Sequence, residues 1–164
     1  MNTKGTDRTY WVQVFSKKTW QEFLTAGAAA TGFRKQRWTI VKKLRPGDYL
    51  LCYLSKVGAW IAALEVVSEP YIDDQTKIWA DELFPCRVNV RVVIQVGLDD
   101  AVPIRKLRKE LSIFRSRNWG AHLFGSPTRF GAEDGDIVMR ELTRTSSQRD
   151  VITHPSVVKP APCD

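Results

Sequence analysis

The apolar residues of this chain fall into short runs, most with the two-residue period of a strand. Residues 10–15 (Tyr-Trp-Val-Gln-Val-Phe) are aromatic and β-branched and predict a strand. Ser16 can cap a helix over 17–24, where Trp20, Phe23 and Leu24 share one face. Gly27 closes that helix, and Gly32-Phe33-Arg34 reads as extended or turning chain. Ile40, Val41 and Leu44 suit a short helix over 39–44, before the Pro46-Gly47-Asp48 turn. Residues 49–54 and 59–67 predict two strands joined by a hairpin-sized gap at 55–58. Within 85–96, Val88, Val90 and Val92 alternate with Arg87, Asn89 and Arg91, predicting a half-buried strand with a wet, basic face. Val93-Ile94 breaks the alternation, which marks either a bulge or a switch of environment. Residues 103–111 read as a helix with Ile104, Leu107 and Leu111 buried. A last helix starts near Ala132-Glu133-Asp134, with Ile137, Val138 and Leu142 on its apolar side and Gly135 obscuring its start.

Strands in hairpin-like pairs, short helices early and late, and no regular βαβ spacing argue against a doubly wound sheet. An α+β fold is expected, a curved and partly closed β-barrel with short helices outside. Residues 1–9 read as a flexible N-terminal segment, 10–143 as the domain and 144–164 as a flexible tail.

The length of 164 residues suits one core. Lys and Arg number 25 against 18 Asp and Glu, a formal charge of +7 that favours an anionic partner. No apolar run reaches the roughly 18 residues of a membrane span, so no membrane partner is expected. Cys52 and Cys86 read as buried strand thiols and Cys163 as a loose one, which implies a cytoplasmic setting. The two histidines, His122 and His154, stand in no metal-ligand or nucleophile motif, and Gly-rich phosphate loops are absent. Neither a metal nor a cofactor is expected, and classical nucleophilic catalysis lacks its parts.

Positive charge is interleaved with aromatic or polar residues in three places: Phe33 to Trp38 with Arg34, Lys35 and Arg37; the Arg87, Asn89, Arg91 face; and the segment through Arg115, Arg117, Asn118 and Trp119. These either hold phosphates with rings stacked on bases or are solvated faces with the tryptophans in the core. Trp79 lies outside any periodic run, after the polar loop 73–77. It is either a lid on the core or one wall of an aromatic pocket for a flat base.

Several segments, in order, resemble EVE domains. They are Tyr10-Trp11-Val12 with Ser16 and Trp20, Gly32-Phe33 before Trp38, and Lys43-Leu44-Arg45-Pro46-Gly47-Asp48 leading into a buried strand. Val66-Val67-Ser68-Glu69-Pro70-Tyr71 and Ile78-Trp79 followed by Phe84-Pro85-Cys86-Arg87-Val88-Asn89-Val90 complete the set. Together they span roughly residues 10–143. The resemblance implies a PUA-like fold related to YTH domains and recognition of a modified base flipped into a pocket. It implies Trp79 and Phe33 as pocket aromatics, Ser16 and Lys17 as a polar pair lining the pocket, Arg129 near the phosphates, and Asn118 and Trp119 at the rim. Phe33 stands where a common family pattern has tryptophan.

The expected function is a non-catalytic module that reads a methylated or hydroxymethylated cytosine, or N6-methyladenine, in DNA or RNA. Arg34, Lys35, Arg37, Arg115, Arg117 and Arg129 would grip the backbone. A separate nuclease or other effector would act downstream, and a monomer suits the size. The alternatives are an RNA-binding protein indifferent to modification, and a small-molecule enzyme using Asp81 or Glu82 beside Trp79.

Overall fold

The computed structural model describes residues 8–153, and the expectations for residues 1–7 and 154–164, including those for His154 and Cys163, lie outside them. The chain runs β1 (Tyr10–Phe15), α1 (Lys17–Thr25), β2 (Ala30–Phe33), α2 (Trp38–Val41), β3 (Tyr49–Leu54) and β4 (Ala59–Val66). It continues through β5 (Tyr71–Ile72), β6 (Cys86–Gln95), β7 (Val102–Pro103), β8 (Thr128–Phe130) and α3 (Ala132–Thr153).

The strands form one mixed sheet in the order β2-β6-β4-β3-β1-β8, with β5 added on β6 and β7 on β4. Among the described residues only β1 and β3 pair in parallel, Tyr10 opposite Tyr49; the crossover between them carries α1, β2 and α2. Two bulges bend the sheet. Ile61 is the extra residue where Cys52 pairs Ala62 and Tyr53 pairs Trp60, and Val93 is the extra residue where Ala63 pairs Ile94 and Leu64 pairs Val92. Each bulge adds local twist, and the second falls where the valine alternation breaks. The sheet therefore curls until β1 and β2, far apart in strand order, face one another. Gln13 of β1 joins them, its Nε2 donating to Thr31 Oγ1 at 2.6 Å and to the Gly32 carbonyl at 3.4 Å.

The core lies inside this curl. Strand β4 is central, and its apolar run (Ala-Trp-Ile-Ala-Ala-Leu-Glu-Val) is buried at every position but Glu65. With Leu50, Leu51 and Leu54 of β3 it forms the middle of the core, each such side chain contributing roughly 1.5–3 kcal/mol. Helix α3 closes one side. Gly135 stands in its first turns because the Tyr10 ring lies where a Cβ would be. Tyr10 donates from its hydroxyl to Asp136 Oδ1 at 2.6 Å, and burial with this bond pushes its pKa up to about 12. Asp134 is buried and accepts from the Ser112 and Ile113 amides at 2.7 and 3.1 Å, which docks the 112–115 turn on the helix.

Three expectations are corrected. Residues 103–111 form no α-helix. Pro103 completes β7 beside Ala59, and a single 3-10 turn follows at Ile104–Leu107. Pairing with β4 captures the start of the segment, and like charges at Arg105, Lys106, Arg108 and Lys109 oppose a regular helix there. Ile104, Leu107 and Leu111 are nevertheless buried as expected. Arg87 is not on a wet face but 1% exposed. Finally, α3 passes the expected boundary at Thr143 and runs to Thr153.

Candidate base-binding cavity

A cavity of about 560 Å³ opens where β1 ends, α1 begins and the loop 79–84 crosses β2. Its apolar wall is Phe15, Phe33, Trp79, Phe84 and Phe124, and its polar lining includes Gln13, Ser16, Thr19, Arg34, Arg37, Ser55, Glu82 and Ser126.

Local sequence places these groups. Ser16 sits at the turn from β1 into α1 because it caps the helix. Its Oγ accepts from the Thr19 amide at 3.1 Å while Thr19 Oγ1 accepts from the Ser16 amide at 2.9 Å, a reciprocal capping box. Helix α1 then anchors the opposite loop, the Thr19 carbonyl accepting from Trp79 Nε1 at 3.1 Å and Glu22 Oε2 from the Ala80 amide at 2.8 Å. Gly32 lets the loop lie directly on β2. A Cβ there would stand 2.5 Å from the Phe84 carbonyl oxygen and 3.0 Å from Trp79 Cζ3.

Arg87 holds the same loop from behind. Its guanidinium donates to the Phe84 carbonyl at 3.1 Å, to Asp73 Oδ2 at 3.2 Å and to the Thr76 carbonyl, and lies 5.8 Å from the Trp79 ring centre. Asp73 also accepts from the Gln75 and Thr76 amides, each at 2.9 Å. Those backbone bonds, helped by Arg87, hold its carboxyl below the usual range. A buried cation satisfied in this way is costly to remove, because its partners lose their donors together.

At the mouth, Arg34 and Glu82 form a two-pronged pair, Nε to Oε1 at 2.7 Å and Nη2 to Oε2 at 3.3 Å. Both are exposed, so the pair contributes at most about 1 kcal/mol to stability. Lys18 pairs with Asp81 beside it. Arg37 serves the opposite rim, donating to the Ser126 and Pro127 carbonyls at 3.3 and 2.9 Å, and Ser126 Oγ accepts from the Val14 amide at 3.2 Å. Gln13 is the one buried polar side chain of the lining, and its Oε1 has no hydrogen-bond partner among the described residues.

A second, more apolar cavity of about 760 Å³ adjoins the first, sharing Val14, Ser55 and Phe124. Tyr53, Lys56, Arg117, Asn118 and Trp119 line it. Phe124 stands at the boundary of the two and is 84% exposed.

Of the residues expected in the base pocket, Trp79, Phe33 and Ser16 line the first cavity, and Asn118 and Trp119 line the second. Lys17 is exposed on α1 and lines neither. Trp79 and Phe33 are only 3% and 2% exposed, so little of either ring is open to the cavity. Of the expected backbone contacts, Lys35, Arg115 and Arg117 are exposed, with Arg117 beside the second cavity. Arg34 and Arg37 are held by Glu82 and the 126–127 carbonyls. Arg129 lies opposite Trp11, its guanidinium 5.5 Å from that ring, and lines neither cavity. The sequence reading did not place Gln13, Thr19, Phe84, Phe124 and Ser126 in the pocket, and it named Glu82 only for the enzymatic alternative. Gln13 had a signal: it shares a strand face with Trp11 and Phe15, at a position that periodicity assigns to the core.

Residues 9–132 match the profile of the EVE domain. No curated protein matches the sequence. Among solved structures, the chain is similar to the Pho92 YTH domain in complex with m6A (TM-score 0.63, 18% identity, 82% of this chain and 83% of that one). It is also similar to the YTH domain of Zygosaccharomyces rouxii MRB1 in complex with N6-methyladenosine RNA (TM-score 0.59, 15% identity, 82% and 86%). Protein Atu2648 from Agrobacterium tumefaciens is a third such structure (TM-score 0.57, 18% identity, 80% and 91%). At these identities the likeness is one of fold, and it is the α+β, PUA-like arrangement expected above. No helix among the described residues is long and apolar enough to cross a membrane.

Proposed function

The chain belongs to the EVE domain family, and from that premise we propose that it reads a modified base in nucleic acid without catalysing a reaction. The carrying observation is the first cavity. Its volume falls in the roughly 300–1,000 Å³ range of small-ligand sites, its wall is aromatic, and its polar groups converge from β1, α1 and the loop 79–84. A base leaves its stack at a cost of a few kcal/mol and recovers that from burial against Phe33, Trp79 and Phe84. An added methyl group contributes up to roughly 0.8 kcal/mol where it fills a void. The m6A-containing complexes of the YTH neighbours support the reading. So does Phe124, an exposed ring at the entrance on which a flanking base stacks at roughly 1–3 kcal/mol. Lys56, Arg117 and Asn118 beside the second cavity take the adjoining backbone, and Arg115 and Lys35 add general attraction.

The lining also favours binding over turnover. The carboxylates that follow Trp79 in the loop, Asp81 and Glu82, are both held in exposed ion pairs. Burial pushes the Cys52 and Cys86 thiols up, away from the nucleophilic thiolate. Any cleavage of the bound nucleic acid falls to a separate effector.

The test is a titration at fixed moderate salt with matched DNA and RNA oligonucleotides. They differ only in carrying 5-methylcytosine, 5-hydroxymethylcytosine, N4-methylcytosine, N6-methyladenine or the unmodified base. Tighter binding to one of them, diminished unequally across the set by Trp79→Ala, is the expected result. Equal binding to all, and equal loss on substitution, would replace this reading with modification-independent RNA binding.

A further inference from the structure

The buried amide of Gln13 has its two ends in different situations. The end near the Gly32 carbonyl must be the nitrogen, because a carbonyl can only accept, and that nitrogen also reaches Thr31 Oγ1 at 2.6 Å. This fixes the orientation and leaves Oε1 as an acceptor with no partner, on a side chain 2% exposed and lining the first cavity. Buried acceptors are rarely left so, since the lost hydration is uncompensated. The other polar atoms of the lining have mostly been taken by structure. Ser16 and Thr19 cap α1, Ser126 accepts from Val14, Arg34 is paired with Glu82, and Arg37 holds the 126–127 carbonyls.

We propose that Gln13 Oε1 determines specificity in this cavity by accepting a hydrogen bond from an exocyclic amino group of the inserted base. The inference rests on the base-reading function proposed above and adds to it the chemistry that the base must carry. Because Nε2 is bound to Thr31 and Gly32, Gln13 offers an acceptor with no donor beside it. The paired donor–acceptor reading of an adenine edge is closed to it. An imino N–H, recessed between two base carbonyls, would bring those oxygens against Oε1. An amino N–H projects beyond the ring and reaches a lone acceptor without that conflict. A base with one or two amino hydrogens is therefore accepted, and a base of the same shape without one leaves Oε1 buried and unpaired.

The experiment compares base analogues in otherwise identical oligonucleotides. N6-methyladenine is set against 6-methoxypurine and N4-methylcytosine against 4-methoxypyrimidin-2-one, each replacing the N–H by an oxygen at nearly the same size. 5-Methylcytosine and 5-hydroxymethylcytosine are set against the corresponding 5-substituted pyrimidin-2-ones, which lack the amino group. Whichever parent base the wild-type protein prefers over its unmodified counterpart, loss of the N–H is expected to weaken binding by about ten- to a hundredfold. In Gln13→Leu and Gln13→Met, each checked for a cooperative thermal transition, that discrimination is expected to shrink to about twofold or less. A merely structural role for Gln13 would weaken parent and analogue together and leave their ratio unchanged. The inference is overturned if the wild-type protein binds analogue and parent equally, or if a folded Gln13 variant keeps the full ratio. If neither variant folds, the wild-type ratio alone decides. If no modified base is preferred over its unmodified counterpart, the base-reading function itself fails and the inference falls with it; a clear preference with no effect of the N–H sinks the inference alone.

Discussion

Replacing Gly32 by Ala tests how the cavity wall is built. The new Cβ would lie 2.5 Å from the Phe84 carbonyl oxygen, about 0.9 Å short of ordinary contact, and 3.0 Å from both Phe84 Cβ and Trp79 Cζ3. Neither side yields easily. Gly32 is paired with Arg87 in β6, and the Phe84 carbonyl is held by the same Arg87 guanidinium. Trp79 is tied to Thr19. The clash is with backbone and with an anchored ring, so no simple rotamer change relieves it. Overpacking of this kind costs about 1–3 kcal/mol. A loss of about 2 kcal/mol lowers the thermal midpoint by ~4–8 °C for a chain of this size. Because the loop 79–84 must also move outward, ligand affinity falls beyond what stability explains, by about tenfold where one well-placed hydrogen bond is lost. Thermal unfolding and the oligonucleotide titration read the two effects separately. Gly131→Ala is the control: no atom lies within 4 Å of its added Cβ and its φ is not in the left-handed region, so no clash arises. Because its carbonyl accepts the first bond of α3, from the Gly135 amide, and alanine caps less well than glycine, stability should fall by under about 1 kcal/mol with affinity unchanged. A Gly32→Ala protein with unchanged midpoint and unchanged affinity would refute the close packing of loop on strand.

Arg87→Met should destabilise by about 2–4 kcal/mol in urea unfolding, since the Phe84 and Thr76 carbonyls and Asp73 lose a donor together; an effect under about 0.5 kcal/mol, the scale of an ordinary surface change, would contradict its role as the loop's anchor. Tyr10 has its pKa raised from 10.0 to about 12 in the fold, so the folded state holds its proton longer than the unfolded one. Its contribution is full below pH 10 and is lost as pH rises through about 12. Tyr10→Phe should cost about 1–2 kcal/mol at neutral pH and flatten that alkaline decline, measured as unfolding free energy against pH. The double variant Arg115→Ala, Arg117→Ala should weaken all oligonucleotides alike and reduce the slope of log affinity against log salt by about 1–2; a selective loss for one modified base would move these residues into recognition.

Strand positions were legible because burial on one or both faces writes a two-residue period or an apolar run into the chain. Residues 49–54, 59–66 and 86–95 carry that signal, and Val93 even marks its bulge. The segment 103–111 misled because its apolar spacing fits a helix as well as a strand end followed by a 3-10 turn. What decided it was pairing with Ala59, a residue more than forty positions earlier. Arg87 misled for another reason: alternation predicts which face a side chain takes, but not that the loop just before the strand will fold back over it.

Sequence alone determined the strands, turns and helix caps, because these are local properties, and the resemblance of its ordered motifs supplied the family and the expectation that Trp79 and Phe33 share a pocket. Tertiary structure alone decided the cavity's chemistry. Folding turned Arg34 and Arg37 to structural partners, separated Trp119 and Asn118 into a second cavity, and left one buried oxygen of the first cavity's lining, on Gln13, without a hydrogen-bond partner among the described residues. A residue's type says what it can donate or accept. Which of its bonds are already made depends on neighbours far away in the chain, and only the closed sheet brings those into reach.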